Sequence, residues 1–182
     1  MKKLSTIFTV FMLGFSCAWI SPVLARSISI PLVQIVATIK ADGTVAIEER
    51  RTIRFDGSFT EGFYELPKNG FANISDFSLS DEEGAYTEDL SLDKKSRTYH
   101  RSENSESIKI EFYYQAKDIQ KTFIFRYQLH QIIHLYDDFG QFYWQLQGDG
   151  WDFVIDQFDA EVRWESAIPI EDYRIWAYGF FV

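Results

Sequence analysis

The sequence predicts an all-β protein, an antiparallel β-sandwich of about ten short strands, from two observations. Apolar residues recur at every second position in most segments after residue 26, which is the period of a strand with one buried face. Turn residues such as Gly, Asp, Asn and Pro separate these segments at short intervals. Sheets with one apolar face bury it against each other, so a sandwich is the expected packing and a closed barrel is the alternative.

The first 25 residues are predicted to form the helix of a secretory signal peptide. Two lysines precede an uncharged apolar run over residues 4–20, and small residues typical of a cleavage site follow. Cleavage is expected between Ala25 and Arg26. An uncleaved membrane anchor is the alternative, but the run is slightly shorter than the roughly 20 apolar residues that a span needs. The sequence therefore predicts export, with residues 26–182 left as a single domain.

The first element of that domain is predicted to be a β-hairpin. Apolar residues alternate along residues 33–39 and 45–55, and Asp42-Gly43 between them suits the positive φ of a tight turn. Glu49 and Arg51 interrupt the apolar face of the second strand, which a β-bulge at that point would accommodate. Glu48, Arg50 and their neighbours are interpreted as cross-strand charge pairs rather than as a site.

The remaining strands are predicted by the same alternation, and no helix-period stretch of convincing length follows the signal peptide. Asp56-Gly57-Ser58 is predicted to begin a connection. The predicted strands lie within residues 62–66, 74–80, 86–92, 97–101, 108–114, 122–130, 132–136, 141–147, 158–164 and 173–178.

Composition argues against several functional classes. A net charge of −9, from 27 acidic and 18 basic residues, disfavours binding to the phosphates of nucleic acid. One cysteine and three histidines are too few for the common zinc folds or a disulfide scaffold. Neither a glycine-rich phosphate loop nor a Gly-x-Ser-x-Gly motif occurs. We therefore expect no cofactor, no metal and no nucleic-acid partner, and no motif specifically indicates an enzyme.

The richest cluster of functional side chains is the acidic and aromatic segment 136–152. Exposed rings beside carboxylates suit sugar binding, and carboxylates alone could bind Ca²⁺ or, about 5–10 Å apart, serve glycoside hydrolysis. The structural alternative is that the Asp and Gly residues form turns and that Trp144, which alternates with Phe142 and Leu146, belongs to the core. The candidate ligand-binding residues are Tyr136, Asp137, Asp138, Tyr143, Asp149, Trp151 and Asp152.

Four motifs, taken in order, resemble those of an uncharacterised bacterial family. They are Asp42 to Phe55, Gly62 to Pro67, Tyr136 to Trp144 and Gly148 to Ile155. The family is domain-of-unknown-function family 2207 (DUF2207), the N-terminal domain of predicted membrane proteins. The resemblance implies an extracytoplasmic β domain, normally followed by transmembrane helices and a low-complexity tail, and it implies no established activity. Because the sequence stops at Val182, where the family continues, the resemblance favours a truncated chain over a short secreted form.

Two functional hypotheses follow from the sequence. The first is an exported, non-enzymatic interaction or sensing domain of the cell envelope, in the periplasm or on the outer face of the cytoplasmic membrane. Its partner would be another envelope component or the membrane-embedded remainder of a full-length relative. The second is a carbohydrate-binding or glycan-processing envelope domain, which would take a glycan at segment 136–152.

Overall fold

The computed structural model of the chain describes residues 26–146, 153–167 and 169–176, and the predicted signal helix lies outside them. The described residues form strands, one short 3₁₀-helix and no α-helix, so the predicted all-β class is confirmed. The elements are β1 (Ser27–Ile39), β2 (Val45–Asp56), β3 (Ser58–Pro67), β4 (Asn73–Asp81), β5 (Gly84–Ala85), β6 (Thr87–Glu88), β7 (Thr98–Glu103), β8 (Ser107–Lys117), β9 (Gln120–His130), β10 (Ile133–Leu135), β11 (Gly140–Phe142), β12 (Phe158–Trp164) and the 3₁₀-helix (Ile170–Asp172).

The strands form two larger sheets and one separate hairpin. The first sheet has the order β12-β1-β2-β9-β4-β5, the second has the order β3-β8-β7-β6, and β10 pairs with β11. Pairing is antiparallel except between β1 and β12 and between β6 and β7, which the sequence prediction did not include. The chain approaches β12 from the start of β1, where Ile30 bridges Ile155, so β12 then runs beside β1 in the same direction.

The chain passes from the first sheet to the second through a single residue. Only Gly57 separates β2 from β3, and its φ of +91° lies in the left-handed region that glycine adopts readily. Its backbone N–H donates to Oδ1 of Asp118 at 2.7 Å, in the turn between β8 and β9. The predicted connection is therefore a one-residue turn that brings β3 beside β8.

Side chains from both larger sheets meet in one aromatic core. Phe112 of β8 contacts Phe123 and Phe125 of β9, with ring centroids 5.0 and 5.6 Å apart. Phe125 also stacks on Tyr64 of β3 at 4.4 Å. The alternating apolar residues predicted for β1 are buried, which confirms the side-chain pattern of the first hairpin.

Several local predictions are wrong. Of the predicted strand 86–92 only Thr87–Glu88 is a strand, and the bulge predicted in β2 is absent. β2 keeps its register with β1 and β9 at Glu49 and Arg51, and the irregularity in its pairing lies instead between Ser29 and Leu32 of β1. No bulge is needed because the two charged side chains pair with each other inside the core.

The predicted strands 141–147 and 173–178 are also not formed as expected in the part of the chain described. β11 ends at Phe142, and residues 173–176 are not in a strand. Phe142, Trp144 and Leu146 still pack against the core, so their alternation reflects side-chain packing without strand pairing beyond Phe142. Residues 147, 177 and 178 lie outside the described residues.

Candidate functional site

The described part of the acidic and aromatic segment begins with a hairpin tip. β10 and β11 pair from Ile133 with Phe142 to Leu135 with Gly140. Beyond that last pair, Tyr136 N donates to Phe139 O at 2.8 Å, which closes a four-residue turn. Asp137 and Asp138 occupy its two central positions, where short polar side chains are favoured.

The hairpin tip, residues 135–139, exposes apolar side chains. The rings of Tyr136 and Phe139 stack on each other with centroids 4.6 Å apart and an angle of 18° between their planes. Each ring is just over half exposed, and Leu135 is 83% exposed. Asp137 and Asp138, which lie between these two aromatic residues in the sequence, are also exposed. The tip therefore combines an apolar surface with two carboxylates, and each ring keeps one face free of the other.

The two aromatic residues that follow β11 differ in their surroundings. Trp144 is half-buried and contacts Phe71 at a centroid distance of 5.5 Å, as its core interpretation predicts. Tyr143 is exposed, as a ligand-binding residue must be. Of the seven candidate residues, three thus lie in one turn and Tyr143 lies in the segment that leaves β11. Asp149, Trp151 and Asp152 lie outside the described residues.

A cleft of about 500 Å³ lies beside the hairpin and was not predicted. Ile133 and Leu135 line it from the hairpin, and Thr44, Asn73 and His130 line it from the first sheet and its turns. Its lining comes from separate parts of the sequence, so no single motif could have indicated it. The cleft offers hydrogen-bonding groups next to an apolar wall.

Sequence reasoning also missed a polar cluster inside the core. Glu49 and Arg51 are buried and form an ion pair. The Tyr64 hydroxyl donates to Oε2 of Glu49 at 2.6 Å, and the Tyr127 hydroxyl lies 3.0 Å from that of Tyr64. Burial, and then the Glu49 charge, raises the pKa of both tyrosines well above the ordinary value. Both hydroxyls stay protonated, so Tyr127 donates to Tyr64, which in turn donates to Glu49.

The outer face of β2 carries one cross-strand charge pair of the kind predicted and one charge pair within the strand. Glu48 accepts from Nε of Arg50 on its own strand and from Nε of Arg126 on β9, each at 2.8 Å. Burial raises the pKa of Glu48, but the two arginines lower it further, so the net value is below the ordinary one. The charged residues 48–51 thus alternate between two environments. Glu48 and Arg50 lie on the outer face of the sheet, and Glu49 and Arg51 lie in the core.

A second polar cluster joins the ends of the two larger sheets. Asp81 of β4 accepts from Nζ of Lys121 at 3.0 Å, from the Tyr86 hydroxyl at 3.0 Å and from Nη1 of Arg97 at 3.1 Å. The backbone N–H of Glu83 donates to it as well, at 2.9 Å. Both carboxylate oxygens are therefore occupied by hydrogen bonds, which indicates a structural role for Asp81.

The described residues hold neither a metal-binding cluster nor a helix that could cross a membrane. No group of three or more His, Cys, Asp or Glu side chains there is arranged to hold a metal ion. Within the same residues, no helix has the length and apolar character needed to cross a membrane.

One protein family matches the part of the chain that contains the hairpin, the cleft and both polar clusters. The model of a family described as the predicted membrane protein (DUF2207) N-terminal domain matches residues 29–179. The chain belongs to this family. The resemblance of its four motifs is thereby confirmed, and the DUF2207 match includes the hairpin tip and both polar clusters. DUF2207 is a family of predicted membrane proteins of unknown function.

One solved structure that matches this DUF2207 domain shows a distant likeness to it. A crystal structure of a protease candidate from Parabacteroides distasonis ATCC 8503 matches with a TM-score of 0.30 and 11% identity. The match covers 56% of this chain and 22% of that one, so the chain spans about a fifth of the length of that protein. No curated protein matches the chain.

Proposed function

We propose that this DUF2207 domain is an exported, non-enzymatic interaction or sensing module of the cell envelope. The observation that carries the proposal is the exposed apolar surface of the hairpin tip, formed by Leu135, Tyr136 and Phe139. Contiguous apolar side chains exposed on a water-facing surface favour a contact site for a partner. The partner is an envelope component or the membrane-embedded part of a full-length relative.

The architecture that we propose for the module is a β-sandwich of the two larger sheets. The aromatic contacts of Phe112 and Tyr64 with β9 support it, because they join side chains of one sheet to those of the other. Such a scaffold holds the β10–β11 hairpin outside both sheets. Binding residues commonly lie on loops and hairpins that a rigid scaffold positions.

Export is the first part of the proposal to test. The uncharged apolar run and the small residues up to Ala25 support removal of the signal peptide. N-terminal sequencing of the chain recovered from the envelope is expected to give Arg26 as the first residue. Ala25→Phe is expected to block processing and Ala25→Gly to permit it. A chain that keeps residues 1–25 and stays in the cytoplasm would contradict export.

Contact through the hairpin tip can be tested by photo-cross-linking in the host cell. A benzophenone amino acid replaces Phe139 in the full chain, and irradiation is expected to give a discrete adduct. The matched control carries the same group at Phe63, an exposed aromatic residue on β3. Adducts of the same identity and yield from both positions, or none from position 139, would contradict a contact site at the tip.

Glycan recognition is the second candidate function, and the stacked rings beside Asp137 and Asp138 favour it. Aromatic faces can stack on the apolar face of a sugar while carboxylates accept hydrogen bonds from its hydroxyls. A glycan array that includes peptidoglycan fragments is the test. Tyr136→Ala and Asp138→Ala should each lower binding at least about tenfold, whereas Phe63→Ala should leave it unchanged. Binding by the unaltered chain no stronger than background would end this candidate.

A further inference from the structure

β12 forms a long outer edge of the six-stranded sheet. In the described part of the chain it pairs only with β1, and it does so without a register shift over residues 158–164. Bulges, prolines, lysines and short strands are the usual protection of an exposed sheet edge. The other outer edges of the two larger sheets have such protection, since β5 and β6 are two residues long and β3 has a register shift and ends at Pro67. β12 is seven residues long and has no bulge, proline or lysine, and its three charged residues alternate with apolar ones.

The backbone of β12 can accept another strand on its outer side. Val33 N donates to Gln157 O, and Glu165 N donates to Ile39 O, each at 2.9 Å. Odd-numbered residues therefore turn their backbone groups toward β1. Because successive residues of a strand alternate, the N–H and C=O groups of residues 158, 160, 162 and 164 turn outward.

The side chains of β12 form an apolar strip along this edge. Phe158, Ala160, Val162 and Trp164 lie beside the buried residues of β1 in the pairing register, so they continue the core face of the sheet. Phe158, Val162 and Trp164 are nevertheless 37%, 42% and 39% exposed. Charged residues occupy the alternate positions of the strand. The apolar face of the first sheet thus extends as far as β12, where its side chains are only partly buried.

We propose that β12 pairs antiparallel with β12 of a second copy of this chain, about a two-fold axis at Glu161. The strand sequence is complementary to itself in this register. Phe158 lies opposite Trp164, Ala160 opposite Val162 and Asp159 opposite Arg163, and each pair occurs twice. The apolar pairs fall at the residues whose backbone N–H and C=O groups face outward, so the two backbones exchange hydrogen bonds at these pairs. The charge pairs fall at the closer, non-hydrogen-bonded positions, where opposite charges stabilise a sheet.

The two Glu161 carboxylates meet at the axis, where each already has a cation. Nε and Nη2 of Arg163 on the same strand each donate to Glu161 at 2.7 Å, which offsets the repulsion between the two carboxylates. Registers shifted by two residues are less favourable. Both shorten the paired strand from seven residues to five. One places Asp159 opposite Glu161, and the other pairs Glu161 with Arg163 but places Asp159 opposite Glu165. The charges and the length of the paired strand together therefore favour the axis at Glu161.

Charge exchange tests this register by sedimentation equilibrium of the full chain after export. The unaltered chain is expected to show a concentration-dependent dimer. Asp159→Arg or Arg163→Asp alone should weaken it by about tenfold or more, because like charges then face each other. The double variant restores opposite charges and should dimerise within about threefold of the unaltered chain. A monomer at every concentration, as expected if another segment of the chain covers β12, would overturn the proposal.

Cysteine cross-linking tests the position of the axis independently. Cys17→Ser removes the one native cysteine. In that background Glu161→Cys places two thiols opposite each other, with Cα atoms about 4.5 Å apart, which suits a disulfide. Arg163→Cys is the control, because its own copy lies about 13 Å away along the strands. Oxidation should link the Glu161→Cys dimer and leave Arg163→Cys unlinked. Equal linking of both variants, or none with Glu161→Cys, would contradict an axis at Glu161.

Discussion

At the scale of single residues, Glu49 and Arg51 show how a charged pair is kept inside an apolar core. Their mutual ion pair and the Tyr64 hydroxyl replace the water that each charge loses on burial. Arg51→Met leaves the Glu49 carboxylate buried without its cation, and we expect it to lower the free energy of unfolding by about 3–5 kcal/mol. The double variant Glu49→Leu/Arg51→Met removes both charges and should be more stable than Arg51→Met alone. Urea unfolding of both variants measures this, and the opposite order of stability would contradict it.

Asp81 is expected to make stability depend on pH in the acid range. Its burial raises the pKa, but the hydrogen bonds from Lys121 and its other donors lower it by more, so the net pKa lies below the ordinary 3.8. A carboxyl with a lower pKa in the folded state adds stability above pH 3.8, and this contribution is lost as pH falls from about 3.8 through the folded pKa. Asp81→Asn should therefore be less stable at pH 7 and lose less stability on acidification.

Urea unfolding at pH 7 and at about pH 3 measures the Asp81 effect. Asp137→Asn, which changes an exposed turn carboxyl, is the control and should follow the unaltered chain at both pH values. If Asp81→Asn loses as much stability between the two pH values as the unaltered chain, the Asp81 carboxyl does not contribute to the pH dependence of stability.

At the scale of the strand, Gly62 shows why one position of β3 has no side chain. It pairs with Phe112 of β8, and a Cβ added to it would lie 2.8 Å from Cζ of that ring. The ring cannot turn aside freely because it packs on Phe123 and Phe125. Gly62→Ala is therefore expected to cost about 1–3 kcal/mol by overpacking.

Thermal unfolding of Gly62→Ala and of Gly62→Ala/Phe112→Leu tests this contact. The second substitution removes the ring edge, so adding Gly62→Ala to a Phe112→Leu chain should cost less than adding it to the unaltered chain. Equal costs in the two backgrounds would show that the ring is not what excludes a side chain at Gly62.

The same strands show what the sequence could and could not predict. Alternation in β1, β8 and β9 is regular because each strand buries one face, so these elements and their inward residues were predictable. Alternation alone does not say whether a neighbouring strand exists, so residues 143–146 were wrongly predicted as strand. The parallel pairing of β12 also depends on the path of the chain. Glu49 is buried because of Tyr64 and Tyr127, which lie 15 and 78 residues further along the chain.

The candidate site was predictable to a similar extent. Asp137 and Asp138 lie at the centre of a turn, as the preference of Asp for turns indicated. The stacking of Tyr136 on Phe139 follows from the closure of that turn, which brings the first and fourth residues together. The adjoining cleft was not predictable, since Thr44, Asn73 and Ile133 meet only in the folded chain.

At the scale of the whole molecule, the two larger sheets are expected to unfold as one cooperative unit. Phe123 is fully buried in the first sheet, and its ring contacts Phe112 and Tyr114 of the second at 5.0 Å. Neither sheet can keep its apolar face covered without the other, so separation of the sheets and loss of their strands should occur together. The prediction for residues 26–182 is thus a single transition.

Phe123→Ala tests this cooperativity, because it removes a side chain that both sheets share. We expect it to lower the free energy of unfolding by about 3–5 kcal/mol through loss of burial and creation of a cavity. Far-UV circular dichroism follows the strands, and near-UV circular dichroism follows the packed rings. Both signals should shift to lower urea by the same amount, whereas Phe63→Ala on the exposed face should move neither by more than about 0.5 kcal/mol. Two separate transitions, with only one moved by Phe123→Ala, would mean that the sheets are stable independently and that no shared core holds them together.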